Sequence, residues 1–448
     1  MIGRMAATAP DKVHTLLLGK VLGVKRHEYI GVAWSFVYFF CVLSSYYMLR
    51  PMREALGVDS GVGTIPWLFS STFVVMLGAT SIFGWITSRF PRRVFLPWVY
   101  IFFAANILIF YGLFQYAISN NVTTVWIGRV FFVWISIFNL FVVSVFWSFM
   151  ADIYTREQGR RLFGVISAGG SAGALAGPFV VSSLVVPLGF SNLLPLSAAL
   201  LLFSIYCIRR LRRWAHSERE EGVIPPPPKP LGGSAFAGVS NVAKSGYLSS
   251  ISAQQIIASL LGTALYMFMN YLVGEAVEGT DQRTRIFGFI DAATGVLSLL
   301  FQLLVVKHSV RSLGIGLTLA FLPLISIVGF TVLAMNPTLM FVAIFQASRR
   351  AIGFGFAKPS SDMLYSVVTP EQKYKSKNFI ETAVYRGGDL IGSWSVKALW
   401  GLGITGVSVL LVPFALLWTG IALWLGREYK HRAATQRIDQ SDEQENLE

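Results

Sequence analysis

The chain has 448 residues, of which 54% are hydrophobic, 14% are aromatic and only 13% are charged. Because a soluble domain carries about 25% charged residues, this composition excludes an ordinary soluble protein and indicates an integral membrane protein. The net charge of +14 would suit a nucleic-acid-binding protein, but in a membrane protein it is typical of basic loops on one face.

Apolar runs long enough to cross a bilayer recur along the chain and predict an all-α membrane protein with twelve transmembrane helices, since about 20 residues are needed for each crossing. The first six predicted helices occupy residues 29–49, 65–87, 94–117, 124–151, 162–188 and 191–210. The second six occupy residues 251–274, 285–306, 312–335, 337–357, 377–399 and 403–426.

A polar segment separates the two sets of helices. The stretch "RRLRRWAHSEREEGVIPPPPKPLGGSAFAGVS" is charged, then rich in proline, then rich in glycine and serine, which is the composition of a linker. Two six-helix halves joined by a linker are the layout of the major facilitator fold. The predicted regions are an N-terminal segment (1–28), a first half (29–210), the linker (211–250), a second half (251–426) and a tail (427–448).

The distribution of basic residues predicts the orientation in the membrane. Most of the 37 Lys and Arg residues fall on one side of the predicted helices, in the linker, the tail and alternate loops. The opposite side has only Arg50, Arg53, Arg129, Arg283 and Arg285. By the positive-inside rule, both termini are predicted to be cytoplasmic, and the net charge requires no nucleic acid.

The residue types that build enzyme centres are scarce. Cys41 and Cys207 both lie in apolar runs, and the five histidines lie in loops or at helix edges. The sequence therefore predicts no catalytic residues, no metal, no cofactor and no enzymatic activity.

Charged residues inside the predicted helices are the strongest functional signal. Arg349 and Arg350 lie near the middle of the tenth helix, where an arginine costs roughly 2.5–3.5 kcal/mol on insertion scales. The eleventh helix contains two acids and several cations, and Arg386 and Asp389 are spaced as helical neighbours. Asp291 lies in the eighth helix.

Two similar short motifs lie at the ends of cavity-type helices. "RPMREAL" (50–56) follows the first helix and "KPSSDML" (358–364) follows the tenth, and both have a basic residue, proline and an acid at the same spacing. Because inverted repeats build this fold, we predict that the two motifs form opposite mouths of one anion path. The glycine-rich "GVISAGGSAGALAGP" (164–178) lacks the lysine of a phosphate loop, and its small residues predict a helix-packing face.

Several stretches resemble the ATP:ADP antiporter family, the bacterial and plastidic nucleotide transporters, and most closely its proteobacterial members. They are "SSYYMLRPMREALGV", "VSVFWSFMADIYTREQGRRLFGVISAGGSAGALAGP", "FGFIDAATGVLSLL" and "AKPSSDMLYSVVTPEQKYKSKNFIETAVYRGGDLIGSW". The first-helix motif of the family ends in Arg-x-x-Lys-Asp, where this chain has Arg50 to Glu54 with Arg53 in place of the lysine. Lys375-Ser376-Lys377 matches a Lys-Gly-Lys segment of the family. The resemblance implies nucleotide exchange across a membrane, which we expect to be the bacterial inner membrane.

We therefore predict a secondary active transporter of an organic anion, such as a nucleotide, that works by alternating access in the lipid bilayer without an obligate protein partner. The predicted substrate-binding residues are Arg50, Arg53, Arg349, Arg350, Lys377 and Arg386. The predicted charge-pairing or coupling residues are Glu54, Asp291, Glu381 and Asp389.

Two alternatives remain open at this stage. One is a proton-coupled major facilitator exporter of drugs or metabolites, with Asp291 or Glu381 as the proton carrier. The other is a non-transporting receptor or assembly factor on a transporter scaffold, in which the linker matters more than the arginines.

Overall fold

A computed structural model describes residues 24–89, 92–220, 237–304 and 306–445. The N-terminal segment before residue 24 and residues 221–236 of the predicted linker lie outside the described residues. Over the described ranges the chain is helical, with short turns between the helices and no strand.

The described residues up to Glu220 form six long helices, the last of which continues into the predicted linker. They are α1 (Tyr29–Asp59), α2 (Ile65–Arg89), α3 (Arg92–Ser119), α4 (Val125–Ile153), α5 (Arg156–Leu188) and α6 (Leu194–Glu220).

From Ala237 onward the described residues form nine α-helices, of which the first still lies within the predicted linker. These are α7 (Ala237–Lys244), α8 (Gly246–Ala276), α9 (Thr280–Leu304), α10 (Val306–Met335), α11 (Leu339–Ile352), α12 (Lys358–Met363), α13 (Pro370–Phe379), α14 (Tyr385–Ala398) and α15 (Gly403–Glu445). A kink interrupts α10 at Gly314, whose φ of 75° is outside the helical region.

The predicted membrane helices agree well with this architecture. Within the described ranges, ten helices are long and apolar enough to cross a membrane, and each coincides with a predicted span. The prediction placed the helix ends too early in several cases: α1 continues to Asp59, α6 to Glu220 and α15 to Glu445. The apolar run marks only the part that lipid covers, whereas Arg, Lys, Glu and Gln are good helix formers that prolong the helix beyond it.

The other two predicted spans, 337–357 and 377–399, are helical but interrupted. A π-helical turn at Gly353–Ala357 joins α11 to α12, and a second one at Ile380–Val384 joins α13 to α14. Such turns contain one residue more than an α-helical turn, and they are common at functional sites. Both interrupted helices contain charged residues close to the π-turn, Arg349 and Arg350 in the first and Glu381, Arg386 and Asp389 in the second.

Contacts divide the chain into two compact units. The first unit contains most of the first six helices. The second contains the described part of Leu231–Glu448 together with Arg53–Ala79 and Gly128–Val133, so that the C-terminal end of α1 belongs to it. In this second unit Arg283 of α9 pairs with Asp59 at 2.5 Å, and Thr280 donates a hydrogen bond to the other oxygen of Asp59 at 2.7 Å.

The first unit is held together by aromatic side chains and by close helix packing. The hydroxyls of Tyr38 and Tyr100, both fully buried, lie 2.5 Å apart, and the rings of Phe39 and Phe146 are stacked with centroids at 4.0 Å. A buried ion pair fixes the start of this unit: both terminal nitrogens of Arg161 donate to the carboxylate of Glu28, at 2.6 and 2.8 Å.

The small residues of α5 pack directly on α1, as the sequence predicts. A Cβ atom added at Gly169 would overlap the carbonyl oxygen of Phe36, and one at Gly173 would overlap that of Phe40. The hydroxyl of Ser44 donates to the carbonyl of Gly173 at 3.3 Å. The two backbones can approach this closely only because glycine has no side chain.

We expect Gly173→Ala to destabilise the protein by about 1–3 kcal/mol, because the new methyl group would push α5 away from α1. The matched control is Gly164→Ala on the same helix, where a Cβ would meet no atom within 4 Å. The control should be neutral or stabilise by about 0.5–1 kcal/mol through its better helix propensity. Thermal unfolding of both variants in detergent measures the difference, and equal stability of the two would contradict the close α1–α5 contact.

Candidate functional site

Arg53 and Glu54 lie inside α1 rather than at its end. The prediction that the helix stops at residue 49 is wrong, because the backbone continues through Pro51 and the helix ends only at Asp59. Arg53 pairs with the neighbouring Glu54 at 2.5 Å, and its guanidinium lies 4.8 Å from the ring centre of Phe132. Glu54 is buried, so that this part of the second unit holds a cation and an anion away from solvent.

Arg50 is half-buried and belongs to the first unit. Its guanidinium lies 5.8 Å from the ring centre of Tyr47, one turn earlier in α1. A guanidinium within about 6 Å of an aromatic ring gains a modest electrostatic attraction.

Arg350 forms a buried ion pair with Asp291. The Nη1 atom of Arg350 in α11 lies 2.5 Å from Oδ1 of Asp291 in α9, and the two side chains are 14% and 4% exposed. Both residues were predicted as site residues, and the structure brings them together. Because each charge depends on the other for compensation, this pair fixes α11 against α9.

Arg349 is buried on another side of α11. Its Nη2 donates to the carbonyl of Ala258 in α8 at 2.6 Å, and its Nε donates to the hydroxyl of Ser326 in α10 at 3.4 Å. The guanidinium also lies 5.9 Å from the ring centre of Trp418 in α15. Among the described residues no carboxylate forms an ion pair with it, so that Arg349 is a buried cation without a matching anion.

Asp389 and Arg386 form the pair that their spacing predicts, although it is long. Nη1 of Arg386 lies 3.3 Å from Oδ2 of Asp389. The other oxygen of Asp389 lies within hydrogen-bonding distance of two hydroxyls of α8, 2.5 Å from that of Ser259 and 3.0 Å from that of Thr263. Asp389 is 7% exposed and is bound more closely to these hydroxyls than to the arginine.

A half-exposed cluster of four charges lies next to the two π-turns, at Lys358, Asp362, Lys377 and Glu381. Lys358 lies 2.5 Å from Glu381 and 3.3 Å from Asp362, and Lys377 lies 2.9 Å from Asp362. Lys377 also lies 5.8 Å from the ring centre of Tyr365. Burial and the negative charges of Glu381 and Asp362 raise the pKa of Tyr365 above its ordinary value, which keeps this phenol neutral.

Lys375 was predicted together with Lys377, but its side chain lies outside the described residues. The two hydroxyls that contact Asp389 were not predicted, since serine and threonine in an apolar helix are common packing residues. Their four-residue spacing, which places Ser259 and Thr263 on one face of α8, was the only available signal.

Comparison with known proteins identifies the superfamily of this chain. Residues 35–393 match the family model of the Major Facilitator Superfamily. The chain belongs to this superfamily. The resemblance to the ATP:ADP antiporter family is also confirmed by a relative, "ADP,ATP carrier protein 2" of Chlamydia pneumoniae, which is 23% identical over 504 aligned positions that cover 92% of this chain and 91% of the relative.

Solved major facilitator structures have the same fold. A POT family transporter in complex with a thioalcohol-conjugated peptide has a TM-score of 0.60 at 12% identity, covering 89% of this chain and 96% of that one. The nucleoside transporter NupG has a TM-score of 0.55 at 14% identity, covering 91% of this chain and 99% of that one. These similarities show that this chain folds as a major facilitator transporter.

We expect Arg350→Gln to destabilise the protein by about 3–5 kcal/mol, because it leaves the buried carboxylate of Asp291 without its cation. The double variant Arg350→Gln/Asp291→Asn should recover most of this loss, since it removes both charges. Thermal unfolding in detergent provides the measurement. If the double variant is no more stable than Arg350→Gln, the ion pair does not account for the stability of this contact.

Proposed function

We propose that the protein is a secondary active transporter of an organic anion, a nucleotide or another phosphorylated metabolite, that works by alternating access. The major facilitator fold supports alternating access about a site near the membrane midplane. The similarity to an ADP,ATP carrier over 92% of the chain supports a nucleotide as the solute.

The observation that carries this proposal is the excess of positive charge in the second unit. Three arginines of the second unit, Arg349, Arg350 and Arg386, lie beside only two carboxylates, those of Asp291 and Asp389. This count covers the interior contacts of the described residues of α9, α11 and α14. Arg349 is the cation without an acid among the described residues. A buried positive charge of this kind is unfavourable until an anion approaches it, so that the site favours a negatively charged solute.

The proposed roles follow the contacts of each residue. Guanidinium groups form paired hydrogen bonds with phosphate oxygens and remain charged when buried. The proposed substrate-binding residues are Arg50, Arg53, Arg349, Arg350, Lys377 and Arg386. The proposed charge-pairing or coupling residues are Glu54, Asp291, Glu381 and Asp389, each of which lies beside one of these cations.

The remaining proposals concern the cellular setting. We place the protein in the bacterial inner membrane with both termini in the cytoplasm, as the distribution of basic residues favours. We also propose that it works without an obligate protein partner and has no enzymatic activity.

The proposal predicts exchange of ADP for ATP in a purified system. Labelled ADP is added to proteoliposomes that contain the full-length chain, with or without ATP inside. Uptake that requires internal nucleotide supports exchange. If no labelled ADP enters under either condition, the nucleotide proposal fails, and phosphorylated sugars and carboxylates become the solutes to test.

We expect Arg349→Gln to abolish ADP exchange without lowering the melting temperature, because it removes a buried charge that no carboxylate among the described residues compensates. ADP at 100 times its Kd should stabilise the wild type by about 2.7 kcal/mol and leave the variant unchanged. The matched control is Arg285→Gln, which changes the same charge at an exposed position.

The two measurements separate a binding role from a packing role for Arg349. A variant that melts earlier but still exchanges ADP would show that Arg349 supports the fold and does not bind the solute. Loss of exchange in the Arg285→Gln control would show that the effect is not specific to the buried position.

A further inference from the structure

We propose that Asp389, together with Ser259, Thr263 and the carbonyl of Tyr385, forms a proton-binding site that couples proton entry to anion uptake. This inference rests on the proposed transport function, and it names the group that would link transport to a proton gradient. It also differs from the sequence-based alternative, in which Asp291 or Glu381 would carry the proton.

The hydroxyl of Ser259 provides the first argument. Its Oγ lies 2.5 Å from Oδ1 of Asp389 and 2.9 Å from the carbonyl oxygen of Tyr385. A serine hydroxyl has a single hydrogen to donate, whereas an ionised carboxylate and a carbonyl can only accept. If Asp389 were ionised, one of these two short contacts would bring together two oxygen atoms without a hydrogen between them.

A neutral Asp389 satisfies every contact. Its carboxyl hydrogen is donated to Oγ of Ser259, and the hydrogen of Ser259 is donated to the carbonyl of Tyr385. The hydroxyl of Thr263 donates to the carboxyl group at 3.0 Å. The cluster therefore has the donors and acceptors needed to hold one proton on Asp389.

The packing around Asp389 keeps water away from it. Gly388 and Gly392 on either side of it in α14 are in close contact with α8: a Cβ at Gly388 would lie 2.8 Å from Cβ of Ser259, and one at Gly392 would lie 2.9 Å from Cα of Leu260. This contact leaves Asp389 only 7% exposed, so that the protein groups around it supply its hydrogen bonds.

The charged groups around the site determine how protonation of Asp389 affects the binding of an anion. Arg386 of the same helix is the cation that faces Asp389, at 3.3 Å, and Arg349 of α11 donates to Ala258, the residue before Ser259. Glu381 in the preceding π-turn is instead bound to Lys358. Among the described residues, no second carboxylate contacts Asp389.

Proton binding therefore makes Arg386 available to the solute. When Asp389 is ionised, its charge attracts Arg386 and competes with an anionic solute for this guanidinium. When Asp389 is neutral, that competition ends and the excess of positive charge in the site increases by one. The proton and the anion then bind cooperatively, and linkage requires the cooperation to be reciprocal. A transporter with this coupling carries both in the same direction.

The test compares two transport modes in proteoliposomes that contain the full-length protein. The first is ADP counterflow at equal pH on both sides. The second is ADP accumulation with the outside more acidic, while a pH-sensitive dye inside reports proton entry. The wild type should show both, and addition of ADP should bring protons into the vesicles.

The variant Asp389→Asn should fold, because its amide group can donate to Ser259 as the neutral acid does. We expect it to lose accumulation driven by the pH gradient and the accompanying proton entry. The matched control is Asp281→Asn in the first turn of α9, which should behave as the wild type.

Three results would overturn the proposal: proton-driven accumulation by Asp389→Asn, wild-type ADP accumulation that does not depend on the pH gradient, or accumulation that follows a sodium gradient instead. Absence of all ADP flux would be a failure of the proposed function. Infrared spectroscopy then tests independently whether Asp389 holds a proton. The wild type at neutral pH should show the C=O stretch of a buried neutral carboxyl group, and Asp389→Asn should lack this band. Absence of this band from the wild type would also overturn the proposal.

Discussion

Burying charge within an apolar helix bundle is the constraint on which the rest of this structure depends. A charge away from water is tolerated only when another charge or several hydrogen bonds compensate it. In the second unit, Arg53 is compensated by its neighbour Glu54, and Arg350 by Asp291 of an adjacent helix. Arg349 has a carbonyl, a hydroxyl and an aromatic ring instead. Among the described residues no carboxylate neutralises its charge, which distinguishes Arg349 from the structural ion pairs of the same unit.

The same close packing by small residues occurs in each unit. In the first unit, Gly169 and Gly173 of α5 allow close approach to α1; in the second, Gly388 and Gly392 of α14 allow close approach to α8. The contact in the first unit includes a hydrogen bond from Ser44 to a backbone carbonyl. The contact in the second contains Asp389 and two hydroxyls. A glycine contact is rigid because the backbones touch, so that it holds the carboxyl group of Asp389 within hydrogen-bonding distance of Ser259 without help from flexible side chains.

The sequence predicts the fold well because the bilayer imposes a simple rule on composition and length. The ten uninterrupted spans of the described ranges and the packing role of Gly169 and Gly173 follow from apolar runs and from small-residue spacing alone. Pairing within one helix is also predictable, as the Arg386–Asp389 contact shows. Contacts between helices are not: the partner of Arg350 and the hydroxyls beside Asp389 depend on which helix faces lie together. The length of α1 could not be predicted either, since its last turns contain charges and a proline that resemble a loop.

The two π-turns connect the buried site to the half-exposed cluster. In the α11–α12 helix, Arg349 and Arg350 precede the turn at Gly353–Ala357, and Lys358 and Asp362 follow it. In the α13–α14 helix the order is reversed, since Lys377 precedes the turn at Ile380–Val384, and Arg386 and Asp389 follow it. One residue more or less in a turn rotates everything beyond it by about 100° around the helix axis. Each π-turn therefore sets the angle, measured around the helix axis, between a buried arginine and a lysine of the cluster. This angle determines whether one anion could contact both cations.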